Sequence, residues 1–276
     1  MSHNLATRFG RNANVIRSHN PLTDDQIKFV APSVFASEQH SSRSDKYAYI
    51  PTSFILAGLR EQGFQPFFAA QSRTRDAGNA PFTKHMLRMR HASQINADSA
   101  NEIILVNSHN GSSSYQLFAG VLRFVCTNGL ICGEEIADFR VRHSGDVKDR
   151  VIEGAFEVLE NFTHIDESMD VMKSITLDEG QQNAFAKAAL TLRYDDIEEA
   201  PITEDGVLRP RRRDDMGSDL WTVFNRSQEN LTKGGLRERN KAHKLVTTRP
   251  VNGMDANIKL NRALWVLSEE MAKLAA

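Results

Sequence analysis

The periodicity of the apolar residues changes near the middle of the chain, and this change constrains the fold more than any other feature. Up to about residue 145, apolar residues stand in short runs between turn-forming Gly, Pro, Asn and Asp, which is typical of strands. From residue 146 onward they recur at helical spacing. The sequence therefore predicts an α+β fold. An antiparallel β-meander in the N-terminal half (1–145) is followed by a helical C-terminal half (146–276) that packs on it in one integrated domain.

The meander is predicted from short apolar runs that surround one helix. The runs are 27–35, 47–50, 64–75, 82–91, 102–107, 114–126 and 138–143. The helix begins near Thr52 and ends at Gly63. Asn110-Gly111 predicts a hairpin turn, because glycine supplies the positive φ that such a turn needs. Gly120 lies inside the longest run and predicts a bulge or a bend.

The helical half is predicted to contain four helices. One spans residues 146–164, and the other three begin near residues 176, 218 and 254. Thr176 and Glu179 have the spacing of a capping box, which opens the second of these helices. Gly234-Gly235 ends the third. Two stretches between helices, 198–215 and 237–253, are predicted to be weakly structured linkers.

Charge is distributed very unevenly along the chain, although the formal net charge is only −1. Residues 1–152 carry 17 Lys and Arg against 13 Asp and Glu, and residues 209–250 carry 11 against 5. Residues 153–205 carry 3 against 14, a net charge of −11. Such a polarised chain points to electrostatic contacts, either between its own segments or with a charged partner.

One predicted strand, KHMLRMRH (84–91), has a positively charged face. Strand alternation places Lys84, Arg88 and Arg90 on the same side, where they repel one another unless an anion lies against them. Two further Arg-x-Arg pairs, at 73/75 and 140/142, fall in strand-like runs with the same i, i+2 spacing. If the three pairs face one side of the sheet, they form one surface of guanidinium groups.

Guanidinium groups bind phosphate in a bidentate manner and stack on exposed bases, so we interpret this surface as a nucleic-acid site. Single-stranded DNA is the expected ligand, with apolar neighbours such as Met86 receiving bases. Two basic stretches, 209–213 and 233–244, are expected to be mobile phosphate-binding loops. The predicted nucleic-acid-binding residues are Arg73, Arg75, Lys84, Arg88, Arg90, Arg140, Arg142, Arg211, Arg212 and Arg213.

Two alternatives use the acidic helical segment 153–205. In the first, its carboxylates pair with the strand arginines and join the two halves of the chain. In the second, the protein is an anti-restriction or anti-defence protein whose acidic face imitates a phosphate backbone and binds a host DNA-processing protein. The residues that suit this mimicry are Asp195, Asp196, Glu198, Glu199, Glu204 and Asp205. A mimic presents its acids outward, whereas a DNA-binding protein uses them to support its own arginines.

Several groups of residues are candidates for catalytic or metal sites. Cys126 and Cys132 lie in apolar runs at a spacing that no standard zinc module uses, so we interpret them as core residues. Ser108 and His109 stand in a turn-forming stretch without a nucleophile elbow. A further set of carboxylates shows no pattern of a nuclease site: Glu102, Glu134, Glu135 and Asp138. We therefore expect a non-enzymatic protein with no cofactor and no metal.

Composition supports a cytoplasmic protein. With only two cysteines, the chain has no disulfide framework, which favours a reducing compartment. No apolar stretch approaches the 18–20 residues or so that a membrane span needs, so no membrane contact is expected. The first 18 residues are basic and without acids, and we expect them to form a loosely docked arm.

Several motifs together resemble one known family. They include SRSDKYAYIPT (42–52), GFQPFFAAQSRTRD (63–76), EIILVNSHNGSSSYQ (102–116), RFVCTNGLICG (123–133) and DLWTVFNRSQENLTKGG (219–235). They resemble the prokaryotic domain-of-unknown-function 932 family, whose members are encoded by prophages and plasmids. The resemblance implies a cytoplasmic protein of a mobile element, with a role in recombination, DNA maintenance or evasion of host defence. It implies no catalytic residues.

The predicted order of elements is also similar in outline to single-strand annealing proteins of the Rad-fifty-two type. This analogy concerns the fold alone. It implies homo-oligomers, because such annealing proteins form rings.

Overall fold

A computed structural model describes residues 13–42, 49–91, 99–123, 128–132, 139–141, 147–239 and 243–275. It confirms the α+β class, with an antiparallel sheet in the N-terminal half and helices in the C-terminal half. The chain divides into two compact units, Met1–Phe162 (unit 1) and Thr163–Ala276 (unit 2). This division lies 17 residues beyond the predicted boundary at residue 145, because the first long helix packs on the sheet and belongs to unit 1.

Unit 1 is built on one seven-stranded sheet, in which every pairing is antiparallel. Its strands are β1 (Ala13–Arg17), β2 (Phe64–Ser72), β3 (His85–His91), β4 (Ser99–Asn107), β5 (Tyr115–Arg123), β6 (Asn128–Cys132) and β7 (Phe139–Val141). Strands β1 to β6 follow one another in space as they do in sequence, and β7 pairs with β5. The predicted meander is therefore confirmed, including the turn after β4, where Gly111 has a φ of 78°.

The sheet of unit 1 is curled. The guanidinium of Arg88 in β3 donates to the carbonyl of Gly129 in β6 at 3.2 Å, although β4 and β5 lie between these strands. Adjacent strands are about 4.8 Å apart, so a flat sheet would hold β3 and β6 about 14 Å from each other. Arg88 therefore lies on the concave face of the sheet, which curls around its side chain.

Three helices accompany this sheet: α1 (Asp24–Val30), α2 (Thr52–Glu61) and α3 (Val147–Glu160). Helix α2 has the predicted limits, and Gly63 follows it with a φ of 87°. On the other face of the sheet from Arg88, Phe64 contacts Phe156 of α3 with 5.6 Å between ring centroids. Helices α2 and α3 thus cover the convex side of the sheet.

Several predicted elements of unit 1 were wrong. Residues 27–35 form the end of α1 and a 3-10 helix (Pro32–Phe35) rather than a strand, because Thr23 and Gln26 form a capping box that starts the helix. Strands β1 and β6 were missed. Gly120 is not at a bulge: β5 pairs continuously through it, and a side chain there would collide with Ile104 and the carbonyl of Leu130.

Unit 2 is helical, apart from one small β-ribbon. Its elements are α4 (Phe162–Ser174), α5 (Glu179–Arg193), α6 (Glu204–Leu208), α7 (Leu220–Lys233), β8 (Arg237–Arg239), β9 (Leu245–Thr247) and α8 (Met254–Ala275). Helix α4 begins at the last residue of unit 1. The predicted starts of α7 and α8 and the end of α7 at Gly234, with a φ of 62°, are confirmed.

Two predictions about unit 2 were wrong. The capping box of α5 is formed by Asp178 and Gln181, and Thr176 instead bridges to Asp219. The two predicted linkers contain regular structure, namely α6 in the first and the ribbon of β8 and β9 in the second.

Helix α7 occupies the centre of unit 2, since its residues 220–232 are all buried. Many of these residues are polar, so their partners have to lie inside the unit as well. No helix among the described residues has both the length and the apolar character that a membrane crossing requires.

Candidate functional site

The positive face of β3 lies against a carboxylate from the neighbouring strand. Arg88 and Arg90 are 2% and 5% exposed, and both contact Glu102 of β4, which is 1% exposed. Arg88 Nη1 donates to Glu102 Oε2 at 3.1 Å, and Arg90 Nε donates to Glu102 Oε1 at 2.9 Å. The anion that this strand face needs is therefore Glu102. In this fold, Arg88 and Arg90 do not belong to an exposed surface.

Arg17 also belongs to this buried group. It lies in β1, which is separated from β3 by β2. It is 8% exposed, and its guanidinium carbon lies 5.2 Å from the ring centroid of Phe68, the residue that pairs with both Arg17 and Arg88. Burial alone would raise the pKa of the Glu102 carboxyl, but the charges of Arg88, Arg90 and Arg17 outweigh burial and lower that pKa. Glu102 is thus ionised, and the cluster holds the strands of the curled sheet together.

The other predicted residues of unit 1 stand next to the ends of β2, β3 and β7 or within β7. Arg73 and Arg75 follow the end of β2 and are exposed, and Arg73 Nε donates to Asn14 at 2.9 Å. Lys84 precedes β3 and is half-buried. Arg140 lies in β7 opposite Gln116, and Arg142 lies outside the described residues. Among these predicted arginines, Arg88 and Arg90 are therefore buried, whereas Arg73 and Arg75 are exposed.

In unit 2, the predicted basic loop 209–213 is held in place rather than mobile. Arg211 donates from Nε to Asn230 at 2.6 Å and from Nη2 to the carbonyl of Gly234 at 2.9 Å. Arg212 donates to both oxygens of Glu229 at 2.6 Å and lies 3.2 Å from Asp215. Asn230 and Glu229 belong to the buried helix α7, so the centre of the unit orders this loop.

The loop borders the ribbon of β8 and β9. Arg209 donates to the carbonyl of Arg237 and to the carboxylate of Glu238, both at 3.5 Å. Glu238 also accepts a hydrogen bond from Thr203 at 3.2 Å, just before α6. Loop and ribbon together carry five exposed arginines, here called the basic surface: Arg209, Arg211, Arg213, Arg237 and Arg239. Like that of Arg209, two of the other guanidinium groups also bind the protein, since Arg211 donates to Asn230 and Gly234 and Arg239 donates to the carbonyl of His243 at 2.8 Å.

The acids of segment 209–250 mostly point away from solvent. The segment 209–250 contains five acids, and among them Asp215 and Glu229 are buried while the side chain of Glu238 is 14% exposed. Asp219 caps α7 by accepting from the amide of Thr222 at 2.8 Å. Only Asp214 of this set is fully exposed. The surface is therefore more positive than the composition of the segment indicates.

The predicted basic stretches 209–213 and 233–244 contain Arg209, Arg237 and Arg239, but the predicted binding residues did not include these three. A signal was present, because Arg209–Arg211 and Arg237–Arg239 are two of the six Arg-x-Arg pairs in the chain. The prediction favoured the pairs in strand-like runs, 73/75, 88/90 and 140/142. A pair in a strand, however, can face the interior as easily as solvent.

The acidic residues of 153–205 point outward. Asp195, Asp196, Glu198, Glu199 and Asp205 are exposed, and Glu204 is half-buried. The buried arginines of unit 1 use Glu102 instead, so the partner proposed for them in segment 153–205 is wrong for Arg88 and Arg90.

The residues weighed for catalysis have structural partners. Ser108 is buried and exchanges hydrogen bonds with the backbone of Ser113, as the turn interpretation predicts. Cys132 is buried in β6, which confirms it as a core residue, whereas Cys126 lies outside the described residues, as do Glu134, Glu135 and Asp138. Within the described ranges, no group of three or more His, Cys, Asp or Glu could hold a metal ion.

A buried polar cluster lies under α2 on the convex face of the sheet. Thr52 Oγ1 is 2.9 Å from His85 Nε2 and 3.3 Å from both His109 Nε2 and the hydroxyl of Tyr115. Ser33 Oγ contacts the other ring nitrogen of His85 at 2.9 Å. All of these side chains are fully buried, so the cluster links helix and sheet and offers no access to a substrate.

Comparison with known proteins agrees with the sequence motifs. A model of the family described as Domain of unknown function (DUF932) matches residues 39–265, most of the chain. The chain belongs to the DUF932 family. Among its relatives are two proteins of Escherichia coli (strain K12), the UPF0380 proteins YafZ and YfjQ. Each is 51% identical over 267 residues, which cover 97% of this chain and 97% of the relative. No solved structure matches this DUF932 protein.

Proposed function

We propose that this DUF932 protein binds nucleic acid through the basic surface of unit 2. The observation that supports the proposal most is the separation of charge in segment 209–250. Its arginines at the surface are exposed, while most of its acids are buried or cap a helix. Exposed guanidinium groups next to one another are suited to successive phosphates of a nucleic-acid backbone.

The order of loop 209–213 supports the same function. Because Arg211 and Arg212 are bound by Asn230 and Glu229 of α7, the chain at Arg209 and Arg213 is positioned before any ligand arrives. A preorganised site spends less free energy on ordering side chains and loops when it binds. The proposed role is non-enzymatic, in recombination or DNA maintenance. The link to a mobile element stays a prediction from the family resemblance.

The proposal is tested by fluorescence anisotropy with a labelled 40-nucleotide DNA, single-stranded and duplex, at low salt. The double variant Arg237→Glu, Arg239→Glu removes two cations of the basic surface. The matched control is Arg73→Glu, Arg75→Glu, an exposed Arg-x-Arg pair in unit 1. We expect the first variant to lose at least about tenfold in affinity and the control to lose less, because each lost phosphate contact weakens binding. Absence of binding by the wild-type protein would refute the proposal.

We propose DNA mimicry as a second function, which is supported by the exposure of the acids of segment 153–205. In this account, the exposed carboxylates of Asp195, Asp196, Glu198 and Glu199 bind the DNA site of a host enzyme. The test is inhibition of a DNA-cleaving enzyme at limiting concentration by wild type and by the Asp195→Asn, Asp196→Asn, Glu198→Gln, Glu199→Gln variant. Inhibition that only the wild type produces, without DNA binding, would favour mimicry.

A further inference from the structure

The ribbon of β8 and β9 separates its side chains into an inward and an outward face. Glu238 and Val246 pair across the ribbon, are half-buried and face the body of unit 2. The neighbouring pairs, Arg237 with Thr247 and Arg239 with Leu245, are exposed. The outward face therefore combines two guanidinium groups with a threonine methyl and a leucine that is 51% exposed.

The ribbon has dimensions that suit a groove of duplex DNA. In the described part of the chain, β8 and β9 pair only with each other, so the element is one ribbon wide. The major groove is about 12 Å wide and admits a two-stranded ribbon, whose strands are about 4.8 Å apart. Arg237 and Arg239 lie two residues apart, about 6.8 Å along the strand, which equals about two base-pair steps.

The loop beside the ribbon supplies further cations. Arg209 contacts both Arg237 and Glu238, so it lies at the edge of the ribbon, and the exposed Arg213 follows four residues later. A ribbon in the groove brings its flanks close to the phosphate backbone. The ribbon would then contact base edges, and the loop would contact phosphates.

The same surface is poorly suited to single-stranded DNA. Proteins that bind single strands usually stack the bases on exposed aromatic rings. Among the described aromatic residues of unit 2, Phe185, Trp221, Phe224 and Trp265 are buried, and Tyr194 is half-buried. In the described part of unit 2, the surface therefore offers a single strand no exposed Phe, Tyr or Trp ring on which to stack its bases.

We propose that the ligand of the basic surface is duplex DNA, with the ribbon of β8 and β9 in its major groove. This inference rests on the proposed function. Arg237 and Arg239 can each bind guanine O6 and N7, while Thr247 and Leu245 can contact thymine methyl groups. Duplex RNA is excluded, because its major groove is too deep and narrow for side chains to read.

Competition binding tests the inference. Labelled duplex DNA of 30 base pairs is bound at low salt and then displaced by unlabelled duplex DNA, single-stranded DNA or duplex RNA of the same sequence. We expect duplex DNA to compete at a concentration at least about tenfold lower than either other form. A single strand that competes equally or better would overturn the inference and leave the proposed function intact. Failure of the protein to bind any of the three would overturn both.

Groove occupancy is measured separately by protection of guanine N7, which lies in the major groove, from methylation by dimethyl sulfate. We expect bound wild-type protein to protect N7. The Arg239→Lys variant keeps the charge but loses the bidentate contact, so we expect weaker protection with affinity reduced less than tenfold. Unprotected N7 in a saturated duplex complex would show that the ribbon does not enter the major groove and would overturn that part of the inference.

Discussion

The carboxylate of Glu238 lies directly against the α-carbon of Gly206, in space that any larger residue would occupy. A Cβ built on Gly206 would overlap one carboxylate oxygen of Glu238 and would lie 3.0 Å from the Cβ of Ile202. Glu238 is also the residue through which the ribbon contacts Thr203 and Arg209. A side chain at residue 206 would therefore force the carboxylate of Glu238 to move.

Gly206→Ala is expected to displace the carboxylate of Glu238 from Thr203 and Arg209 and so to weaken the docking of the ribbon. Overpacking of this kind costs about 1–3 kcal/mol of folding free energy, and we expect DNA affinity to fall as well. The control is Gly253→Ala, because a Cβ there meets nothing closer than 3.8 Å. That control should be neutral or stabilising by up to about 1 kcal/mol. Thermal unfolding and anisotropy binding measure both effects, and equal affinity of the two variants would contradict the role of Glu238.

Glu229→Gln tests whether the order of loop 209–213 matters beyond its charge. Glu229 binds Arg212 at 2.6 Å and Lys233 at 2.8 Å from inside the unit. Removal of a negative charge would strengthen DNA binding if net charge alone decided affinity. We expect the opposite, because the loop loses its anchor, and we expect the exposed control Asp214→Asn to bind DNA slightly more tightly. Anisotropy on samples shown to be folded by circular dichroism makes the comparison, and tighter binding by Glu229→Gln would contradict the prediction.

Glu102→Gln is expected to destabilise unit 1 strongly. Removing one partner of a buried ion pair leaves uncompensated charge and typically costs about 3–5 kcal/mol, here with two arginines affected. Asp24→Asn is the control, since Asp24 pairs with Arg60 at 2.6 Å but is 57% exposed. Its loss should cost about 1 kcal/mol or less. The free energy of unfolding of each variant is measured with urea. A smaller loss of this free energy in Glu102→Gln than in Asp24→Asn would show that Glu102 does not hold the arginines in the folded protein.

The stability of unit 1 is expected to decrease in mild acid because of His85. Burial, followed by the charge of His109, lowers the pKa of His85 from 6.5 to about 3. Since the unfolded chain binds the proton more tightly, stability is full above pH 6.5 and is lost as the pH falls toward 3. The loss reaches at most about 1.4 kcal/mol per pH unit.

Glu102 does not obscure this effect. Its pKa lies below 4.5 in the folded protein, so its contribution is lost only at still lower pH. Between pH 7 and pH 5, a change in the free energy of unfolding measured with urea therefore reports on histidine. His85→Asn should make this free energy depend less on pH. NMR resonances of His85 that titrate with a midpoint near 6.5 would contradict the buried, neutral imidazole.

The sequence was most informative where local patterns decide the structure. The alternation of His85–His91 predicted both the strand and the common face of Arg88 and Arg90, and the register confirms them. It could not predict which face of the strand is concave, because that depends on the curl that brings Gly129 of β6 to Arg88. Glu102 was noted as a carboxylate, but its place beside these arginines arises from the pairing of β3 with β4.

The basic surface of unit 2 was hard to predict for a related reason. Residues 237–247 lack the apolar pattern of a strand because their ribbon is mostly exposed. Their structure depends on the contacts of Glu238 with Thr203 and Gly206, which precede it by more than 30 residues. The order of loop 209–213 likewise depends on polar residues of α7, whose burial no local pattern indicates.

The most direct test of the account is the salt dependence of DNA binding by the wild-type protein and by Arg237→Glu, Arg239→Glu. If the five arginines of the basic surface contact phosphates and base edges, the logarithm of the binding constant should fall with the logarithm of salt concentration with a slope of about −3 to −5. The variant should bind at least about tenfold more weakly with a shallower slope. Equal affinities and slopes for the two proteins would contradict the assignment of DNA binding to this surface.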